Sequence, residues 1–238
     1  MTENASVDRV LLVAAHPDDA EFGAGGTVSV WTDAGIEVAY LVVTDGDAGS
    51  PDPTVDRRAL AALRRDEQTA AAKTLGVDRV DFLGYPDGQV ETTRELRRDI
   101  SRAIRLFRPD RVVCPSPERR WDFLPASHPD HLVTGEAAVR AVYPDARNWF
   151  AHPELLEEGL EPFTVRELWV VGHPDPNVAV DVTDAFARKI AALRCHASQV
   201  GGVDDLPGNL RARLERNASE MGLKDGRLAE TFRVVVAR

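Results

Sequence analysis

Two short stretches of this chain combine imidazole and carboxylate side chains: His16-Pro17-Asp18-Asp19 and His128-Pro129-Asp130-His131. A catalytic zinc site takes about three protein ligands from His, Asp, Glu or Cys and leaves one position open. His16, Asp19 and His131 supply such a set, with Asp18 and His128 left over to move protons. Spacing alone does not decide which histidine of the second pair binds. Each stretch by itself also reads as turn and cap chemistry. Their placement in the fold must separate the two readings.

The first half of the chain alternates between strand and helix signals. Residues 10–15 form an apolar run fit for a strand buried on both faces. Residues 24–34 read as a helix that stops at Gly35. A second strand spans 38–44, followed by a polar loop at 45–53 whose Gly and Pro content forbids a regular element. An Ala-, Leu- and Arg-rich helix covers 55–75 and ends at Gly76. A third strand takes 79–83. The next helix, 93–107, puts Leu96, Ile100, Ala103, Ile104 and Phe107 on one face. A fourth strand, 111–114, leads into the loop with the second His cluster.

Such alternation implies right-handed crossovers and a Rossmann-like α/β fold, a mostly parallel sheet flanked by helices. Both clusters then follow strand C-termini, where ligands gather in such sheets. That shared placement favours the site over the caps. Beyond residue 144 the pattern loosens. Strands are expected at 167–172, 178–182 and 232–237, and a helix at 185–196. The stretch 201–222 is helical only in its later part. With no repeat or linker, residues 1–238 read as a single domain.

Composition narrows the function classes. A net charge of −10 and a pI near 5.1 argue against nucleic-acid and anionic-membrane partners. Cys114 and Cys195 form no C-x-x-C pair, which fits a reducing cytoplasm. The polar residues 1–6 and the short apolar run behind them make neither a signal segment nor a membrane span, so a cytoplasmic location is expected.

The run Ala15-His16-Pro17-Asp18-Asp19-Ala20-Glu21 with Gly25-Gly26-Thr27, followed by His128-Pro129-Asp130-His131, resembles the LmbE-like or PIG-L family of zinc-dependent N-deacetylases. The resemblance is strong over the first two-thirds of the chain and weak after it. It implies that His16, Asp19 and His131 hold zinc, and that Asp18 is the general base toward a metal-bound water. It further implies that His128, as imidazolium, steadies the oxyanion and that Asp130 orients and charges His128. Asp47, Arg64 and Asp87 look like the family's substrate contacts. The implied substrate is a small N-acetylated amino-sugar conjugate, with homo-oligomer formation left open. A His₂Asp site also takes Fe2+ or other divalent ions.

Other positions are weighed in the same way. His152 and His173, each followed by Pro, read as plain loop histidines. Cys114 reads as packing. Trp121 is either a stacking platform for a sugar ring or a core plug. His196, in Cys195-His196-Ala197-Ser198-Gln199, resembles a C-terminal family signature of open role. A nicotinamide-binding domain is a rival, prompted by Gly23, Gly25 and Gly26, but Val28 sits where the third glycine of G-x-G-x-x-G belongs. A non-catalytic binding protein on the same fold is another. The nearest alternative keeps the metal chemistry and cleaves a larger amide in a thiol or sugar conjugate.

Overall fold

The structure is a computed structural model, and it describes residues 7–121 and 123–237. The polar residues 1–6, which bear on the expectation of no signal segment, lie outside that range. Seven strands form one sheet: β1 (Arg9–Ala14), β2 (Glu37–Thr44), β3 (Arg79–Tyr85), β4 (Arg111–Pro115), β5 (Glu167–Val171), β6 (Val178–Asp181) and β7 (Ala229–Val236). The helices are α1 (Asp19–Asp33), α2 (Arg57–Thr74), α3 (Arg94–Phe107), α4 (Pro129–Arg140), α5 (Pro153–Glu157), α6 (Phe186–Cys195), α7 (Ala197–Val200) and α8 (Leu206–Glu220). A 3-10 turn at Leu124–Ser127 precedes α4, and a π turn at Ala141–Asp145 follows it.

The strand order is β3-β2-β1-β4-β5-β7-β6. Strands β1 to β5 pair in parallel, while β7 runs antiparallel between β5 and β6. The chain winds outward from β1 through β2 to β3, then returns to lay β4 on the other side of β1. The order reverses there, and a crevice opens beyond the C-termini of β1 and β4. This is the Rossmann-like sheet the alternation predicts.

Alternation along β1 builds both faces of the core. Leu11 and Val13 join Leu96, Ile100 and Ile104 of α3 and Ala137 and Ala138 of α4. Val10, Leu12 and Ala14 join Ala24 and Val28 of α1, Ala71 and Ala72 of α2, and Ala192 of α6. Among the described residues no helix is long and apolar enough to cross a membrane.

Two differences from the expected elements bear on the site. Helix α1 begins at Asp19, not near residue 24, because its glycines serve packing rather than stopping the helix. A Cβ on Gly23 would lie 2.7 Å from Val171 Cγ1, and one on Gly26 the same distance from Val182 Cβ. Helix α4 occupies what read as loop. It opens on His128-Pro129, with proline in the first turn where its missing N–H costs nothing.

Within α1 the backbone N–H groups of Gly26 and Thr27 donate to Glu230 of β7, at 2.9 and 2.7 Å. Lys189 of α6 donates to Glu230 at 2.6 Å and to the carbonyls of Glu21 and Phe22. Lys189 is fully buried. Removing one partner of a buried pair leaves an uncompensated charge, so Lys189→Ala is expected to cost about 3–5 kcal/mol. Urea denaturation checks this; a change below about 1 kcal/mol, the range of an exposed ion pair, would show that the pair is not holding α1.

Candidate metal centre

The turn between β1 and α1 bends sharply. Asp18 adopts φ 99°, a left-handed conformation that a residue with a Cβ rarely takes. Three contacts hold it there. The Asp18 N–H donates to Gln68 Oε1 at 2.9 Å, and Arg64 donates to the Pro17 carbonyl at 2.5 Å and to Asp18 Oδ2 at 3.2 Å. The bend sends the carboxylates of Asp18 and Asp19 different ways. Asp19 Oδ2 folds back to accept from the N–H groups of Ala15 and His16, at 3.1 and 2.8 Å.

Helix α4 brings the second cluster alongside. Its close approach needs Gly135, where a Cβ would sit 2.4 Å from the Pro115 carbonyl oxygen of β4. His131 Nε2 then lies 3.0 Å from Asp19 Oδ1 and 3.3 Å from His16 Nδ1, and His16 Nδ1 lies 3.4 Å from Asp19 Oδ2. Ligand atoms about 2.0–2.1 Å from a tetrahedral ion stand about 3.3–3.4 Å apart. The triad His16, Asp19 and His131 therefore fits one divalent ion, and it is a group able to hold one. His128 belongs to a second such group, with His16 and Asp130; there, however, the His16 nitrogen and the Asp130 carboxylate already face each other at 3.2 Å.

The other nitrogen of His16 is already engaged. Nε2 faces Asp87 Oδ1 at 3.1 Å and Asp130 Oδ2 at 3.2 Å. With an ion on Nδ1, carboxylates placed this way would keep the remaining ring proton on Nε2. Burial opposes a charge on His16, but the hydrogen bonds to Asp130, Asp19 and Asp87 outweigh it and push its pKa up to about 12. Asp19 moves the opposite way: burial raises it, yet His131 and His16 hold it well below the usual carboxylate range. Such a pocket is built around positive charge.

Asp130 corrects an expectation. Its carboxylate does not reach His128 but accepts from His16 and from the N–H groups of Gly88 and Val90, at 2.7 and 3.3 Å. Only its backbone N–H serves His128, donating to Nδ1 at 3.2 Å. His128 thus carries its proton on Nε2. Burial, reinforced by the nearby His16, lowers its pKa, while the charge of Asp130 opposes that shift without reversing it. Asp130 and Asp87 orient His16 instead; where a histidine binds a metal, outer partners of this kind are worth about 10–100-fold in affinity. Asp130→Asn is expected to weaken metal binding by that factor, read by competition with a chromogenic chelator; an unchanged affinity would remove the role.

Asp18 is set apart from its neighbour. Burial and the Asp19 carboxylate push it up to about 7, with Arg64, His196 and His16 pulling it down. A carboxylate poised near neutrality suits a general base.

The expected substrate contacts separate. Asp87 accepts from the Ala48 N–H at 3.0 Å and lines the site through His16. Arg64 is only 4% exposed and is occupied with Gly46, Pro17 and Asp18, so it supports the turn from beneath. Asp47 pairs with Arg57 at 2.9 Å on the surface. Trp121 is 84% exposed, which excludes the core plug. Cys114 is buried in the sheet. His152 is buried against Asp145 at 3.2 Å rather than lying in an open loop, and His173 Nδ1 accepts from Asp175.

Sequence reasoning passed over a buried chain behind the turn. Gln68, whose Oε1 holds the Asp18 N–H, donates through Nε2 to Glu21 at 3.0 Å, and Glu21 Oε2 meets His196 Nε2 at 3.1 Å. All three side chains are fully buried. Beside them, Ser198 binds Glu67 and Gln199 binds the Gly49 carbonyl. The motif around His196 was the available signal; Gln68 gave none.

The geometry thus describes a His/Asp group able to hold a metal ion, set at the strand ends of a Rossmann-like sheet. Residues 11–142 match the model of the PIG-L family, described as GlcNAc-PI de-N-acetylase, and the chain belongs to that family of N-deacetylases. It is 37% identical over 193 residues to a diacetylchitobiose deacetylase of Thermococcus kodakarensis, covering 81% of this chain and 70% of that protein. It is 30% identical over 201 residues to a probable N-acetyl-alpha-D-glucosaminyl L-malate deacetylase 2 of Bacillus anthracis, covering 80% of each. Among solved structures, N,N'-diacetylchitobiose deacetylase from Pyrococcus horikoshii superposes with a TM-score of 0.89 at 32% identity, over 98% of this chain and 85% of that one.

Proposed function

We propose that this protein removes the N-acetyl group from a small amino-sugar conjugate of the N-acetylglucosamine type, with a divalent metal ion, zinc in the first instance, held by His16, Asp19 and His131. The observation that carries the reading is the ligand triangle of 3.0–3.4 Å edges with Asp18 beside it. The deacetylase names of two relatives, each at least 30% identical, support the acetamido-sugar class.

A bound ion of this kind polarises a carbonyl and acidifies water. The remaining work falls to the chain. Asp18 accepts the proton of the attacking water. His128 Nε2–H donates to the carbonyl oxygen as negative charge develops there, a task a neutral imidazole performs as a hydrogen-bond donor. The leaving amine takes its proton back from Asp18, which ends the cycle ionised. Asp87 and Asp130 hold His16 in register throughout.

The test is acetate release from N-acetylglucosamine conjugates by the zinc-loaded protein. Release that chelation abolishes and zinc restores supports the reading. A different acyl product, with no acetate, would turn it toward the larger-amide alternative.

A further inference from the structure

We propose that the cavity beside the ligand triad is a subsite for a carboxylate or phosphate carried by the sugar substrate, read by Arg213. The inference rests on the deacetylase reading and names the substrate class within it.

A cavity of about 540 Å³ adjoins Asp19 and His131 and runs between α1 and the C-terminal ends of β1, β4 and β5. That volume lies within the range of about 300–1,000 Å³ typical of small-molecule sites. Its walls are largely apolar, with Leu12, Phe22, Val113, Phe123 and Val171 among them. Arg213, from α8, lines the same cavity. An acetyl group fills little of such a space, which leaves room for the sugar side of the substrate between the triad and Arg213.

Arg213 is placed like a group awaiting an anion. It is half-buried, and its guanidinium donates to one neutral acceptor, the Phe22 carbonyl, at 2.9 Å. Among the described residues no carboxylate forms an ion pair with it. Arg216 and Arg120 add positive charge nearby. The nearest balancing charge, Glu230, is already matched by Lys189 and two backbone N–H groups. In a chain of net charge −10, a half-buried arginine without a carboxylate partner is unusual. Withdrawal from water lowers its pKa. A planar fork of remaining N–H donors matches a carboxylate or phosphate, which would return that cost.

A purely structural role is the competing account, since Arg213 steadies a carbonyl of α1. It makes a different prediction, because a loosened α1 would slow all substrates alike. Three compounds separate them: methyl N-acetyl-glucosaminide, its carboxymethyl glycoside counterpart, and N-acetylglucosamine 1-phosphate. The expected kcat/KM is higher for one or both anionic sugars than for the neutral one by on the order of ten- to a hundredfold, as a charge-assisted hydrogen bond confers. Which anionic sugar leads tells carboxylate from phosphate. The preference is expected to collapse in Arg213→Gln, to survive in part in Arg213→Lys, and to shrink as salt is raised.

Should Arg213→Gln fail to fold, the wild-type ratio and its salt dependence still decide. Equal kcat/KM for neutral and anionic sugars in the wild type would overturn the proposal, as would a preference that persists in Arg213→Gln. Acetate from none of the three would remove the deacetylase reading and the subsite with it, a result distinct from equal rates.

Discussion

Asp18→Asn is expected to lower kcat by about two to four orders of magnitude, the usual contribution of a positioned general base, while metal content stays at the wild-type level. Asparagine is the substitution of choice because it tolerates left-handed φ better than most residues. It therefore keeps the turn at φ 99° and leaves the backbone N–H on Gln68. It also keeps the side-chain volume and an acceptor for Arg64. What it removes is the proton acceptor. Steady-state acetate release and metal analysis on the same preparation read the two halves separately. An Asp18→Asn protein with wild-type turnover, or one that has lost its metal, would sink the assignment.

The same experiment has a pH arm. Asp18 must be ionised to accept a proton, so the rate falls as pH drops through its pKa. Burial and Asp19 push that value up to about 7, and a nearby divalent cation pulls it down. The acid limb of kcat/KM is expected at or below about 7 and is expected to vanish in Asp18→Asn.

His16→Ala is expected to abolish metal binding altogether. It deletes one ligand and also strips Asp19, Asp87 and Asp130 of a shared cationic partner. Ligand binding to the native state raises apparent stability as RT ln(1 + [L]/Kd), about 4 kcal/mol at a thousandfold excess over Kd. Wild-type melting should therefore rise on adding zinc and fall on adding a chelator, whereas His16→Ala should respond to neither. A variant whose melting still tracks zinc would place the ion on other residues.

Much of this site was legible because its two motifs end consecutive-looking βα units on either side of the sheet's reversal. Strands β1 to β4, the three helices between them and the meeting of the two clusters at one sheet edge all follow from that pattern. Helix α4 escaped because its start is His-Pro and its middle is Gly135, a residue kept for contact with Pro115 and not for flexibility. The contact expected between the Asp130 carboxylate and His128 takes another form for a geometric reason. Residues two apart at a helix start do not face each other, so Asp130 turns across to His16 instead of to His128. Glu21, Gln68 and His196 were invisible as a unit, since three residues so distant in the chain meet only in three dimensions.

That buried chain ties the turn at Asp18 to α2 and to the α6–α7 junction, elements drawn from opposite ends of the polypeptide. The local hydrogen bonds of Asp19 shape the turn, but the contacts made to Asp18 itself by Gln68 and Arg64 come from a segment that must already be docked. Catalytic competence is therefore a late and cooperative property of folding. On titration with denaturant, activity and global tertiary signal are expected to disappear together, with no inactive yet otherwise native species in between.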